Sequence, residues 1–148
     1  IMVLIVFYDT VMRYLFQKGN VALQELEWHL FAVIFLVGAA YTLKEGGHVR
    51  VDIIFMKLSN KAQAWIDFFG IFIFLIPFSI MVIYSTQGFI ANSWAVREVS
   101  PDPGGLPARY ILKAMIPFGF SLLIIQGLSE ACKRLMTIMD YRTGEEDK

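Results

Sequence analysis

Three sets of polar residues in this 148-residue chain have the types and spacing to do chemistry. Glu25, Glu27 and His29 crowd the start of an apolar segment, where the Glu25 carboxylate could carry a proton. His48, Arg50 and Asp52 alternate in the short word HVRVD, which could hold an anion or act as a catalytic group. Asp9 and Arg13, four apart, share one helical face and can pair. Each set also has a plainer use, and the plainer use is favoured. Glu25 would anchor a helix end or meet another subunit. The HVRVD word would be a polar cap that pairs its own charges and holds a loop against lipid or a partner. His29 and His48, the two histidines, stand at opposite ends of one segment, about 28 Å apart if helical, so they cannot ligate one haem. Cys132 is the single cysteine; it can close no internal disulfide and has no metal-ligand spacing around it. No cofactor or metal is expected.

The elements that position these groups are membrane helices. Hydrophobic residues make up 57% of the chain and charged residues 18%, with a mean hydropathy of +0.58. Soluble domains carry about a quarter charged residues. The net charge is zero, which gives no footprint for nucleic acid. An all-α membrane protein with four spans in a single domain is expected: residues 1–16, 26–43, 65–91 and 110–128. The first reads as cut short, because the chain opens at Ile1, and it lacks the small-residue cleavage site of a signal peptide. Pro77 is expected to kink the third span and Pro117 lies in the fourth. Trp28, Trp65 and Trp94 fall near span ends, where amphipathic rings settle at the interface. Gly38-Ala39-Ala40 is a small-residue patch that lets another helix approach closely, within the chain or from a partner.

The connections fix the orientation. Lys44, Arg50, Lys57 and Lys61 surround the middle loop, and Lys133, Arg134, Arg142 and Lys148 the tail. Arg13, Lys18, Arg97 and Arg109 mark the other side, with Lys113 just inside the fourth span. The basic excess puts the middle loop, the tail and both termini in the cytoplasm. Residues 51–58, VDIIFMKL, are too short to cross and read as an interfacial segment between the second and third helices. Asn60 with Gln63 resembles a capping box for the third helix. The tail 140–148 is polar and expected to fray. The outer loop carries Pro101, Pro103, Gly104, Gly105 and Pro107; it should be a stiff, non-helical turn, with Pro107 in the first turn of the fourth helix. Asp102 and Arg109 are its candidate charges for receiving a docking protein. The ionisable groups cluster at span ends, so no mid-membrane ion site is expected.

In order along the chain stand Arg13-Tyr14-x-Phe16, Glu25-Leu26, Gly38-Ala39-Ala40-Tyr41, Gly47-His48-Val49-Arg50-Val51-Asp52, Ser100-Pro101, and Pro117-x-Gly119-Phe120 with Leu122-Leu123 and Gln126. This order resembles the small, DctQ-like membrane subunit of a tripartite ATP-independent periplasmic (TRAP) transporter. The resemblance implies a bacterial inner-membrane scaffold that pairs with a large membrane subunit holding the substrate and sodium sites. It also implies a periplasmic binding protein that delivers an organic acid, with uptake driven by sodium. The residues expected to serve that partnership or the scaffold itself are Arg13, Glu25, Gly38, His48, Arg50, Asp52, Pro117 and Gln126. The alternatives are a four-helix exporter using Asp9 and a membrane anchor of a redox complex. The long second loop, the long third helix and the Arg13 partner argue against the exporter.

Overall fold

The structure is a computed structural model that describes residues 1–46 and 58–146. Its elements are all helical: α1 (Met2–Leu15), α2 (Val21–Lys44), α3 (Asn60–Gly70), a π-helical turn (Ile71–Leu75), α4 (Ile76–Ala95) and α5 (Arg109–Glu146). Three stretches among the described residues are long and apolar enough to cross a membrane: Val21–Lys44, Lys61–Ala95 and Arg109–Met139. The 14 residues of α1 pack on α2 and fall short of that length. The proposed interfacial segment and the HVRVD word lie outside the described residues.

The polarity of the packing is inverted relative to a soluble protein. Phenylalanines and isoleucines on every long helix face outward, while the buried positions include Asp9, Glu25, Ser79, Ser93, Ala64 and Ala131 beside Leu43, Ile71 and Ile138. Lipid solvates apolar side chains as well as a core does, so small residues that let backbones approach take the interior. The helix α5 is the spine, packing along α2, α3 and α4. A Cβ at Gly119 would fall 2.9 Å from both the Cβ and the carbonyl oxygen of Leu36 on α2. One at Gly127 would meet the flexible end of Leu75 at 2.9 Å and touch Ile71 Cγ2 at 3.5 Å. The close crossing is therefore Gly119 on Leu36. Gly38 would meet nothing within 4 Å.

Local signals explain most boundaries, with corrections. Asn20 caps α2 by accepting from the Ala22 N–H at 3.0 Å. The cap of α3 is Ser59, one residue before the expected Asn60; its hydroxyl accepts from Ala62 N–H at 3.3 Å. The Gln63 side-chain amide donates to the Leu58 carbonyl at 3.0 Å. Pro107 is not in the first turn of the last helix either. Ala108, at φ +64°, separates it from Arg109, where α5 begins. The long stretch Lys61–Ala95, the third span of the sequence, meets Pro77 by widening. Ile76 N–H donates to the Ile71 carbonyl, five residues back, in the turn just upstream. The fifth helix runs through Pro117 and past residue 128 to Glu146, so the backbone of residues 140–146 is helical where fraying was expected.

Candidate functional site

The first turns of α2 and α5 and the connection 96–108 meet at one end of the bundle, the loop end. Two turns shape the connection. Asp102-Pro103-Gly104-Gly105 forms a β-turn, with Gly105 N–H donating to the Asp102 carbonyl at 3.0 Å. Gly104 holds φ +80°, and proline then glycine at the two central positions is the type II pattern. Ser100 N–H donates to the Leu106 carbonyl at 3.1 Å, closing the loop above this turn.

Glu25 fills the closed loop. Its residue is 4% exposed. Oε1 accepts from the Ser100 hydroxyl at 2.5 Å and from the Arg109 guanidinium at 3.1 Å. Oε2 accepts from Leu106 N–H at 2.5 Å. One carboxylate thus gathers a hydroxyl, a backbone amide and a guanidinium from 75 to 84 residues away. Gly105 is dictated by this arrangement. A Cβ there would run into Ser100 and come within 2.8 Å of Glu25 Oε2. The Arg109 guanidinium also lies over the Trp28 ring, 5.5 Å from its centroid. His29 Nδ1 lies 2.5 Å from the Glu25 carbonyl oxygen, a bond that places hydrogen on Nδ1. Trp94 meets Tyr110 edge-on at 4.7 Å, tying α4 to α5 at the same level.

A second pair closes the other side of the connection. Lys113 of α5 pairs with Glu98, and its ammonium lies 3.9 Å from the centroid of the Phe89 ring. Arg109 N–H donates to the Glu98 carbonyl at 3.1 Å. The Lys113 ammonium beside it holds the Glu98 carboxyl below the ordinary value near 4.5.

Chemically this is a latch. A base needs an oxygen free to take a proton from a substrate, whereas both Glu25 oxygens are committed to donors that hold the chain closed. Among the described residues, no group of three or more His, Cys, Asp or Glu side chains comes together to hold a metal.

The remaining expected residues are dispersed. Asp9 pairs with Arg13 as their spacing implies; Asp9 is 1% exposed and its Oδ1 has no hydrogen-bond partner. Asp102 is exposed at the loop tip, where its backbone N–H donates to the Ser100 hydroxyl at 3.2 Å. Arg109, grouped with Asp102 in the sequence reading, is instead turned into the latch. Gly38 is half-buried, and its carbonyl accepts from Thr42 Oγ1 at 3.0 Å. Pro117 lies inside α5, with the Ser121 hydroxyl on its carbonyl at 2.7 Å. Gln126 is half-buried beside Gly127. His48, Arg50 and Asp52 lie outside the described residues. The sequence reading missed Gly105, Leu106 and Glu98 as parts of the site. It also missed an ion-pair cluster at the far end of the bundle, where Arg134 Nε lies 3.3 Å from Asp67 Oδ2 and Arg134 Nη2 lies 3.2 Å from Glu130 Oε1. Only the spacing of Glu130 and Arg134 signalled that cluster.

Comparison with known proteins agrees with this small helical membrane body. One relative, from Haemophilus influenzae and provisionally named a TRAP transporter small permease protein, is 29% identical over 106 residues. That alignment spans 72% of this chain and 66% of the relative. The profile of the family described as tripartite ATP-independent periplasmic transporters, DctQ component, matches residues 2–137. Since that match takes in all five helices but for the last turns of α5, the chain belongs to the DctQ family of TRAP transporter components.

Proposed function

We propose that this chain is the small scaffold subunit of a sodium-driven, binding-protein-dependent transporter for an organic acid. It pairs with a large membrane subunit that holds the substrate and sodium sites. The observation that carries the reading is the commitment of the Glu25, Glu98 and Arg109 charges to latches within the chain. A moving transport domain must work against something fixed, and a bundle clamped at its loop end supplies a fixed body. Interfacial tryptophans on long helices give that body a preferred depth.

In this reading α1 belongs to the first of four spans, residues 51–58 lie along the interface, and the protein sits in the bacterial inner membrane with both termini in the cytoplasm. The loop end then faces the periplasm and receives the binding protein. Arg109 is held by Glu25, so the charge available for docking is Asp102 at the loop tip. A stiff loop loses less entropy on docking than a loose one. His48, Arg50 and Asp52 act in assembly on the cytoplasmic side.

Reconstitution tests the reading. Vesicles with this chain alone should take up no organic acid under a sodium gradient, and vesicles with all three components should. Uptake by the chain alone would sink the scaffold reading and revive the exporter. Asp102→Cys in a Cys132→Ser background should react with an impermeant thiol reagent added outside. Labelling only after the inner face is opened would reverse the topology.

A further inference from the structure

The membrane depth of α4 and the composition of its two faces point to a contact that lipid cannot make. Trp65 on α3 and Trp94 on α4 are both exposed aromatics. They lie roughly 43 Å apart along the helix axis, about the thickness of a bilayer with its headgroups. With these two rings at the interfaces, Tyr84 lies roughly 15 Å below Trp94, inside the hydrocarbon. Tyr84 is nevertheless 81% exposed.

The buried face of α4 carries Ser79 and Ser93, packed toward α5. Half a turn away, the outward positions are Met81, Tyr84, Ser85, Gly88, Ala91 and Asn92, all exposed and all but Met81 and Tyr84 small or polar. A Cβ at Gly88 would meet nothing within 4 Å. Toward the opposite interface the exposed residues of the same long helix are bulky and apolar: Phe69, Ile73 and Phe74. Those suit acyl chains. A hydroxyl, a phenol, a carboxamide and a flat glycine–alanine surface do not. Small residues let a second backbone approach, and polar ones hydrogen-bond across the contact.

An independent observation lies at the foot of this face. Ile76 N–H is given to the Ile71 carbonyl, and Pro77, exposed there, has no N–H. The Phe72 carbonyl therefore loses both its α-helical and its π-helical donor. An unpaired backbone acceptor in hydrocarbon costs several kcal/mol, and acyl chains have no donor to give. Polarity matching thus asks for a neighbour that brings hydrogen-bonding groups at this depth, which a membrane helix does.

We propose that the outward face of α4, from Pro77 to Asn92, is the seat of a helix of the large membrane subunit. That helix carries small residues at the Gly88–Ala91 level and a hydrogen-bond donor toward Pro77. The assignment rests on the pairing proposed above and locates it.

The test uses the chain co-expressed with a tagged large subunit. Gly88→Leu has room in this fold, so the variant chain should melt as the parent does. It should recover about tenfold less large subunit, the effect of losing one close helix crossing. Phe31→Leu, on the outward face of α2, should recover the normal amount. Separately, Ser85→Cys in a Cys132→Ser background, coupled to benzophenone maleimide and illuminated in the complex, should crosslink to the large subunit. Normal recovery with Gly88→Leu, equal damage from Phe31→Leu, or a crosslink only to a second copy of this chain would each overturn the assignment while leaving the pairing intact. Failure of the parent chain to co-purify would overturn the pairing itself, and the assignment with it.

Discussion

The two ends of the bundle are fastened in different ways. At the loop end one buried carboxylate, Glu25, holds a hydroxyl, a backbone amide and a guanidinium. At the opposite end Arg134 spreads its charge over Asp67 and Glu130, and Lys133 adds a longer contact to Glu130 at 3.4 Å. The Lys133 side chain there is open to solvent, whereas Arg134 is partly covered and Asp67 and Glu130 are mostly covered. The first arrangement concentrates closure in one residue and holds a loop against two helices. The second shares it among several side chains, with Lys133 still on Glu130 if Arg134 is lost. A single substitution should therefore undo the first and weaken the second less.

That contrast can be broken most forcefully at Glu25. Glu25→Ala leaves the Arg109 guanidinium and Leu106 N–H without their acceptor, and an uncompensated buried charge is the costlier half of a broken pair. The expected result is the largest fall in melting temperature of the variants considered. Altered Trp28 emission and rapid tryptic cleavage at Arg97 or Arg109 should accompany it. A loop still resistant to trypsin would mean the prolines, not Glu25, keep it folded. Next in size is Gly119→Ala, which drives a methyl into the Leu36 backbone. It should cost about 1–3 kcal/mol as overpacking. Gly127→Ala should cost less, because Leu75 can swing its terminal methyl aside; equal costs would show that the two crossings are equally rigid.

Arg134→Ala sharpens the other side of the comparison. It should lower stability by about 1 kcal/mol, with little dependence on salt, because the Arg134 Nε and Asp67 Oδ2 atoms that meet are covered. A loss matching that of Glu25→Ala would put the two ends on the same footing. The smallest expected effect is a pH dependence at Glu98. Its carboxyl is held below the ordinary value near 4.5 by Lys113. Its contribution is full above that value and is lost as pH falls through the lower folded value. Acidification from about pH 5 should therefore loosen the connection in the parent chain, and Glu98→Gln should lack that component. An identical acid response in both would assign the loosening to another carboxylate.

The apolar stretches of the long helices were legible because twenty-residue hydrophobic runs have few other uses. The Asp9–Arg13 pair was legible from its spacing alone. The Glu25 latch was only half legible. Its place at a helix end identified an anchor, but its partners lie 75 or more residues away and no periodicity connects them. Gly105 looked like one of several loop glycines until Glu25 and Ser100 were seen beside it. The small-residue signal was ambiguous for a related reason. Gly38-Ala39-Ala40 and Gly119 are equally suited to a close crossing, and only the packing of α2 on α5 singles out Gly119. Ser59 and Asn60 are both good caps, so sequence could place the start of α3 no better than within a residue.

The wide turn before Pro77 also keeps a rotational phase. Ala64, Ile71, Ser79 and Ser93 form one buried line along the stretch Lys61–Ala95. The first and last intervals, seven and fourteen residues, keep a side chain near one azimuth in an α-helix; the middle interval, eight, would swing it by about 80°. The π-turn Ile71–Leu75 lies in that middle interval and takes up the extra residue. Loss of one residue from the turn would leave both halves aimed at α5, on a strictly sevenfold repeat. Loss of one residue from α4 between Ser79 and Ser93 would rotate Ser93, Trp94 and the start of the latched loop away from their partners. The two deletions fall on the same helix, yet the first leaves the line in phase and the second breaks it.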